Sequence, residues 1–424
     1  MSQQTKYQWY RTALTLCLGL AAFLFWRIAK PAMLIYHEQL QLFLLDDDYL
    51  LARVGEPGGL ARYVAEFLVQ LNNNLTLGAT VMAVLWMMVQ RLAWSMVRSV
   101  SGGWHAYLLS FLPVLLLWYY VGDVNVMQTY TVALLMGLLS LWACPARTVY
   151  RRIYVLVMIP VLYWLAGPVA LMLAVYAGVA EYMERRMVIP ALCVALAAVL
   201  WVVTSVVLSS WLVPHPLDRL FCGIDYYRYI ATLPAMQYVI VLACALLPLG
   251  AMPFLNMKTD RRARMLLAIE GLGIILGGAL LVPRGYDKQV YELLEYDRLV
   301  RIQDWNAVVA KATQRQPDLP MSVCATNLAL AMRGELGDRV FDFYQHGTEG
   351  LLPPFDRNFF SLLLSSEVYW QLGLTNTAQR FMFEAMEAIP NANKSERVIK
   401  RLAETNLVNG EYGVAAKYLD MLKK

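Results

Sequence analysis

Carboxylates gather early in the chain, in YHEQLQLFLLDDDYLLARVGEPGGL (residues 36–60), where Glu38 is followed by the consecutive Asp46, Asp47 and Asp48. Cations gather later: His215, Arg219 and Arg228 lie within PHPLDRLFCGIDYYRYI (214–230), and Arg284 follows. Side chains of these types could carry group transfer from a phosphate-linked donor. A carboxylate deprotonates or polarises an acceptor hydroxyl, and guanidinium holds phosphate bidentately. Glu38, Asp46, Asp47 and Asp48 are therefore the candidate catalytic acids, and His215, Arg219, Arg228 and Arg284 the candidate phosphate contacts. A plainer assignment stands beside this one. Aspartates at a helix start act as caps worth about 1 kcal/mol, and arginines beside Tyr226, Tyr227 and Tyr229 suit a headgroup layer with an aromatic belt.

No metal is assigned, because His37, Glu38 and the aspartates have no recognised ligand spacing. A Walker loop, a GxSxG elbow and a dinucleotide fingerprint are all missing. So is a basic stripe interleaved with aromatics, which excludes nucleic acid. No cofactor is indicated, and His105 and His346 have no partner visible in the sequence.

The elements that must position these groups are membrane helices. Of 424 residues 59% are hydrophobic and 16% charged, against roughly half and a quarter in soluble domains. The excess lies in runs of about 20 residues, enough to cross a ~30 Å hydrocarbon core. About nine spans are predicted by this criterion, near 11–33, 75–94, 104–120, 128–145, 148–165, 168–184, 188–213, 236–257 and 265–283. The start has no small-x-small cleavage site, so the first run is an uncleaved span. The stretch 148–184 reads as one long span or as a hairpin broken at Gly167-Pro168. Charge favours the hairpin. It puts Arg91, Arg98, Arg147, Arg151, Arg152, Arg185, Arg186, Lys258, Arg261, Arg262 and Arg264 on one side, against Lys30, Arg53, Arg62, Arg219 and Arg228. By the positive-inside rule the N-terminus is cytoplasmic, and the aspartate loop and everything after the ninth span are extracytoplasmic. Within that first loop (34–74), Leu60, Tyr63, Val64, Phe67, Leu68 and Leu71 form an apolar stripe suited to the membrane surface. Glu270, inside the last span, is expected to pair with Arg262 or to snorkel.

Residues 284–424 are polar and helix-patterned. LGLTNTAQRFMFEAMEAIPN (372–391) carries Ala378, Ala385 and Pro390 at the offsets of a tetratricopeptide (TPR) helix pair, and NGEYGVAAKYLDML (409–422) repeats Gly410 and Ala415. LGDRVFDFYQ (336–345) and QDWNAVVAKATQRQPDLP (303–320) are degenerate copies. Anchors at 303, 337, 373 and 410 keep close to the roughly 34-residue period of that repeat. The fold class is thus all-α: a polytopic membrane domain (1–283) followed by a TPR-like domain (284–424). Four of the six cysteines, Cys17, Cys144, Cys193 and Cys244, fall in or beside apolar runs. Cys222 and Cys324 do not; they are the two cysteines expected to meet oxidising surroundings, and whether they pair in a disulfide stays open.

This arrangement of a first span, a long acidic outer loop, many spans and an outer helical domain resembles the GT-C class of membrane glycosyltransferases. The resemblance implies a polyprenyl-phosphate-linked sugar donor used at the outer face, with a carboxylate of the first outer loop as base or metal holder. The place close after the first span holds YHEQ (36–39), with the triple aspartate beyond it. More narrowly, the chain resembles bacterial multi-pass membrane proteins with a helical tail, which implies an inner-membrane location with a periplasmic tail but no activity. Two functions from different classes follow: a GT-C-like transferase building an envelope glycan, or a non-catalytic scaffold whose TPR-like groove binds an envelope protein.

Overall fold

The computed structural model describes residues 3–101, 106–229, 232, 234–255, 261–356, 359–389 and 393–423. His105, Lys258 and Pro390 lie outside these residues, as do the side chains of Arg261, Arg262 and Arg264. The chain is all-α, and among the described residues its only bridge between extended segments pairs Val126 with Tyr227. It divides into two compact units, Met1–Ala29 with Leu45–Tyr286, and Lys30–Leu44 with Asp287–Lys424.

In chain order the helices are α1 (Gln3–Leu24), α2 (Pro31–Glu38), α3 (Asp47–Val54), α4 (Gly59–Gln70), α5 (Leu75–Ser101), α6 (Leu112–Tyr120) and α7 (Gln128–Trp142). There follow α8 (Thr148–Ala166), α9 (Ala170–Arg185), α10 (Val188–Ser209), α11 (Leu217–Cys222), α12 (Ala235–Ala251) and α13 (Arg261–Leu281). All of these except α2 belong to the first unit.

Among the described residues six segments are long and apolar enough to cross a membrane: Gln8–Ala29, Leu75–Ser101, Thr148–Ala166, Val188–Ser209, Ala235–Phe254 and Ala268–Gly285. The count of nine is corrected. Leu108–Tyr120, α7 and α9 fall short of that length, since 13 to 16 residues rise only about 20–24 Å. α7 is instead a core helix with Tyr130, Thr131, Ala133, Leu134 and Leu138 fully buried. The break at Gly167 is real, and α8 and α9 are separate helices. Close approach of α9 to α10 depends on Gly178, where an added Cβ would lie 2.6 Å from the Ala195 Cβ. Small residues at such crossings are the usual route to tight packing between membrane helices. Pro160 inside α8 removes the N–H that would bond the Leu156 carbonyl, and Trp201 Nε1 of α10 donates to that carbonyl instead, at 2.9 Å.

The connections 54–58, 122–127, 164–167, 215–227 and 285 meet at one end of this unit. Gly58 N donates to Trp164 O (2.8 Å), Trp164 Nε1 to Val54 O (3.0 Å) and Met127 N to Tyr226 O (3.0 Å). The EPGG turn is demanding here. Gly58 sits at φ +79°, and a Cβ on Gly59 would lie 1.8 Å from the Arg53 carbonyl oxygen.

The second unit consists of α2 with α14 (Lys288–Arg301), α15 (Trp305–Gln314), α16 (Pro320–Met332), α17 (Leu336–Arg339), α18 (Phe359–Gln371), α19 (Thr375–Glu387), α20 (Glu396–Val408) and α21 (Tyr412–Lys423). The sequence division near 283 therefore misses residues 30–44, whose Met33, Leu34, Tyr36 and Leu40 are buried. Four helices end in the same turn. Gln303, Gly334, Gly373 and Gly410 take positive φ, and the following N–H reaches back five residues: Asp304 to Leu299, Glu335 to Leu330, Leu374 to Tyr369 and Glu411 to Asn406. This is the Schellman pattern, which reverses the chain so that the next helix packs back. Ala378, Ala385 and Ala415 are fully buried in the second helices. The second pair is stunted, its second helix α17 spanning only four residues. Cys222 and Cys324 are free and buried, each within its own unit, and no disulfide joins them. Cys324 Sγ instead lies 3.6 Å from Leu351 O.

Candidate functional site

The face of α4 opposite its apolar stripe is the buried one. Gly59, Ala61, Arg62, Ala65, Glu66 and Val69 pack inward, while Phe67 is exposed. Small residues let the helix approach α7 and α8 closely, and that approach encloses two charges one turn apart. Arg62 Nε bonds Glu66 Oε1 (3.0 Å), lies 3.5 Å from Asp225 Oδ2, and its Nη1 reaches Glu56 Oε2 (3.2 Å). Glu66 also accepts from Arg53 Nε (2.9 Å) and the Tyr49 hydroxyl (2.6 Å). His215 Nε2 sits 3.1 Å from Glu56 Oε1, and Thr129 Oγ1 3.3 Å from Asp225 Oδ2. Burial alone would lower the Arg62 pKa, but Asp225, Glu66 and Glu56 more than offset it and hold the guanidinium above its ordinary value. Arg219, half-buried nearby, has its pKa lowered by burial with Asp225 opposing; its Nη2 reaches Ile224 O (3.5 Å) and its Nε has no hydrogen-bond partner among the described residues. The cavity beside this cluster holds about 10 Å³ and is lined by Glu56, Arg62, Gly167, Asp225 and Tyr226. That is room for roughly one water.

The residues nominated from the sequence are distributed otherwise. Asp46 is the N-cap of α3, with Asp47 and Asp48 in its first turn. All three are exposed, and Asp46 makes no capping hydrogen bond. Their charge therefore acts on the helix start through the helix dipole. Glu38 is buried in the second unit, 3.9 Å from Arg301 Nη1. Burial pushes its pKa up to about 7; Glu396 adds to the rise, and Arg301 and Arg397 oppose it. Beside it Arg397 is clamped by Asp297 through two bonds (2.7 and 2.9 Å), by Gln39 (2.9 Å) and by Glu367 (3.4 Å). Of the cations, His215 and Arg219 join the α4 cluster. Arg228 is buried, its backbone N–H bonding Asn125 O (2.8 Å) and its guanidinium 5.5 Å from the Tyr229 ring centroid. Arg284 is exposed and bonds Leu280 O (3.0 Å). One oxygen of Glu270 is buried without a hydrogen-bond partner among the described residues.

The sequence reading missed Glu56, Glu66 and Asp225 and took Arg53 and Arg62 only as topology markers. The Arg62–Glu66 spacing of one helical turn between alanines was the available signal. Among the described residues no three His, Cys, Asp or Glu are placed to hold a metal ion. The chain belongs to a family of unknown function, DUF6057, whose match covers residues 5–424. No curated protein and no solved structure matches it.

Proposed function

We propose that this member of the DUF6057 family is a membrane-anchored scaffold, a TPR-like stack carried by a helical membrane unit and presented to a protein partner in the cell envelope. The observation that carries this reading is the fourfold Schellman turn at Gln303, Gly334, Gly373 and Gly410 with alanines buried between paired helices. Stacks of helix pairs commonly offer extended binding surfaces. Large apolar side chains stand exposed on this unit, Phe341 at 89% and Tyr412 at 70%. The nominated acids are otherwise engaged, Glu38 in an internal charge cluster and Asp46–Asp48 at a solvent-facing helix start. In this proposal the membrane is a bacterial inner membrane and the stack is periplasmic. Its support is the charge bias, since Arg98, Arg151, Arg152, Arg185 and Arg186 lie away from the end where Glu56 and His215 meet.

The test is complementation of a deletion strain. Phe341→Glu and Tyr412→Glu should abolish function with normal insertion, whereas Glu38→Gln and the three Asp→Asn variants should complement. The reverse pattern would sink the scaffold.

One observation favours the GT-C-like transferase as a second reading. The first loop and the 214–230 loop do meet, through Glu56 and His215, with Arg62 and Arg219 beside them. In that reading Glu56 with His215 is the base and Arg219 the contact to a polyprenyl-phosphate donor. Loss of function in both Glu56→Gln and His215→Asn, with wild-type melting temperatures, would favour it; full complementation would remove it.

A further inference from the structure

Away from that end of the membrane unit, α8, α9 and α10 enclose a crevice of about 250 Å³. Its walls are apolar, among them Val155, Ile159, Ala177, Ala197 and Trp201, and its charged end holds Arg151, Arg152 and Glu181. Glu181 is 1% exposed and faces three guanidiniums: Arg185 at 2.7 Å, Arg152 at 3.1 Å and Arg151 at 3.4 Å. Arg151 is engaged further, by Glu184 (2.6 Å) and the Ala146 carbonyl (3.2 Å). Arg152 and Arg185 are different, their side chains 55% and 48% exposed. Each guanidinium carries five N–H donors, so donors remain beyond the contact with Glu181. Three arginines against Glu181 and Glu184 also leave one positive charge over.

We propose that this crevice binds one anionic phospholipid, an acyl chain along the Val155–Ala197–Trp201 wall and the phosphate at Arg152 and Arg185. The apolar wall offers water no hydrogen bonds, so water does not fill it. α8 and α10 both have membrane-crossing length, and Ile153, Leu196 and Leu200 stand exposed on them, at 56%, 67% and 66%. The medium beside the crevice is therefore lipid. At below the roughly 300 Å³ where small-molecule pockets begin, it suits one chain rather than a whole ligand. A phosphate accepts charge-assisted bonds from guanidinium, and basic pockets between membrane helices bind anionic headgroups on the same grounds.

The purified full-length protein in detergent is titrated with dioleoyl phosphatidylglycerol, dioleoyl phosphatidylcholine or inorganic phosphate, and bound species are counted by native mass spectrometry. One phosphatidylglycerol should be retained, at least about fivefold over phosphatidylcholine, as charge-assisted recognition requires. Arg152→Gln with Arg185→Gln should bring it down to the phosphatidylcholine level, and Ala197→Trp should abolish retention of both lipids. All three positions are exposed, and in the double variant Glu181 keeps its contact with Arg151, so the fold should persist. Should the double variant nonetheless unfold, the wild-type lipid comparison and Ala197→Trp still decide. Equal retention of the two lipids, unchanged retention by Ala197→Trp, or binding of inorganic phosphate with no phosphatidylglycerol retained would each overturn the proposal.

Discussion

Glu38 shows how far one residue's surroundings can depart from its sequence neighbours. Its adjacency to a membrane span suggested an acid awaiting a headgroup, yet it is enclosed by Arg301, Glu396 and Arg397, groups more than 250 residues away in the chain. No local pattern announces such a partner. A carboxyl whose folded pKa is about 7, against an ordinary 4.5, binds its proton more tightly in the native state. Stability is then fully present below the ordinary value and is lost as pH rises toward 7 and beyond, by up to about 3 kcal/mol. Hydrogen exchange in the 30–44 peptide of the full-length protein should quicken between pH 5 and 8 beyond the intrinsic pH effect, and Glu38→Gln should flatten that excess. An unchanged slope in Glu38→Gln would assign the pH response elsewhere. The three aspartates were legible as a helix start, because exposed carboxylates before an amphipathic run need only local physics. Asp46→Asn, Asp47→Asn and Asp48→Asn should each shift the melting temperature by less than Glu38→Gln does.

At the scale of the element, helix existence was largely legible and helix length was not. Composition marks apolar runs, but whether a run crosses a membrane or plugs a core depends on its neighbours, as α7 illustrates with Tyr130, Thr131 and Leu138 fully buried. α4 is the sharper case. Its apolar stripe was read correctly, while the buried face carries Arg62 and Glu66. Truncating Arg62 to Met would remove the one guanidinium that Glu66, Asp225 and Glu56 share, and breaking such a buried pair costs about 3–5 kcal/mol. A thermal-shift assay in detergent should show a large fall, and a shift no larger than that of Phe67→Ala would mean that water already reaches the site. For α8, Trp201→Phe deletes the indole donor to Leu156, an interhelical bond worth about 1–2 kcal/mol. Pro160→Ala restores the helix's own donor, so in that background Trp201→Phe should cost nearly nothing. Additive losses in the double-mutant cycle would show that the carbonyl was never the point of the contact.

For the whole molecule, the all-α class and the change of character near residue 284 were legible from composition, and the helix pairs after 372 from glycine and alanine spacing. The stunted second pair and the capture of residues 30–44 were not, since both depend on contacts distant in sequence. Orientation is the prediction that belongs here. Leu108–Tyr120, α7 and α9, although short, still carry the chain from one end of the membrane unit to the other, so reporter fusions at residues 186 and 300 should report opposite compartments, cytoplasmic for 186. The same compartment for both would leave the charge asymmetry without its explanation and put the stack on the cytoplasmic side.

The second unit draws its first helix from residues 30–44 and the rest from beyond 286, and this has a consequence in time. A ribosome makes α2 early and then roughly 240 further residues before any packing partner exists. At about 5–20 residues per second, Met33, Leu34, Tyr36 and Leu40 stay unmatched for roughly 12–50 s. During that interval the growing chain carries a sticky segment at its beginning whose match is still being translated. Nascent chains arrested at residue 286 should therefore be cut by protease between 30 and 44, and chains arrested with residue 410 outside the ribosome should resist. Early resistance would mean that another factor shelters the segment while it waits.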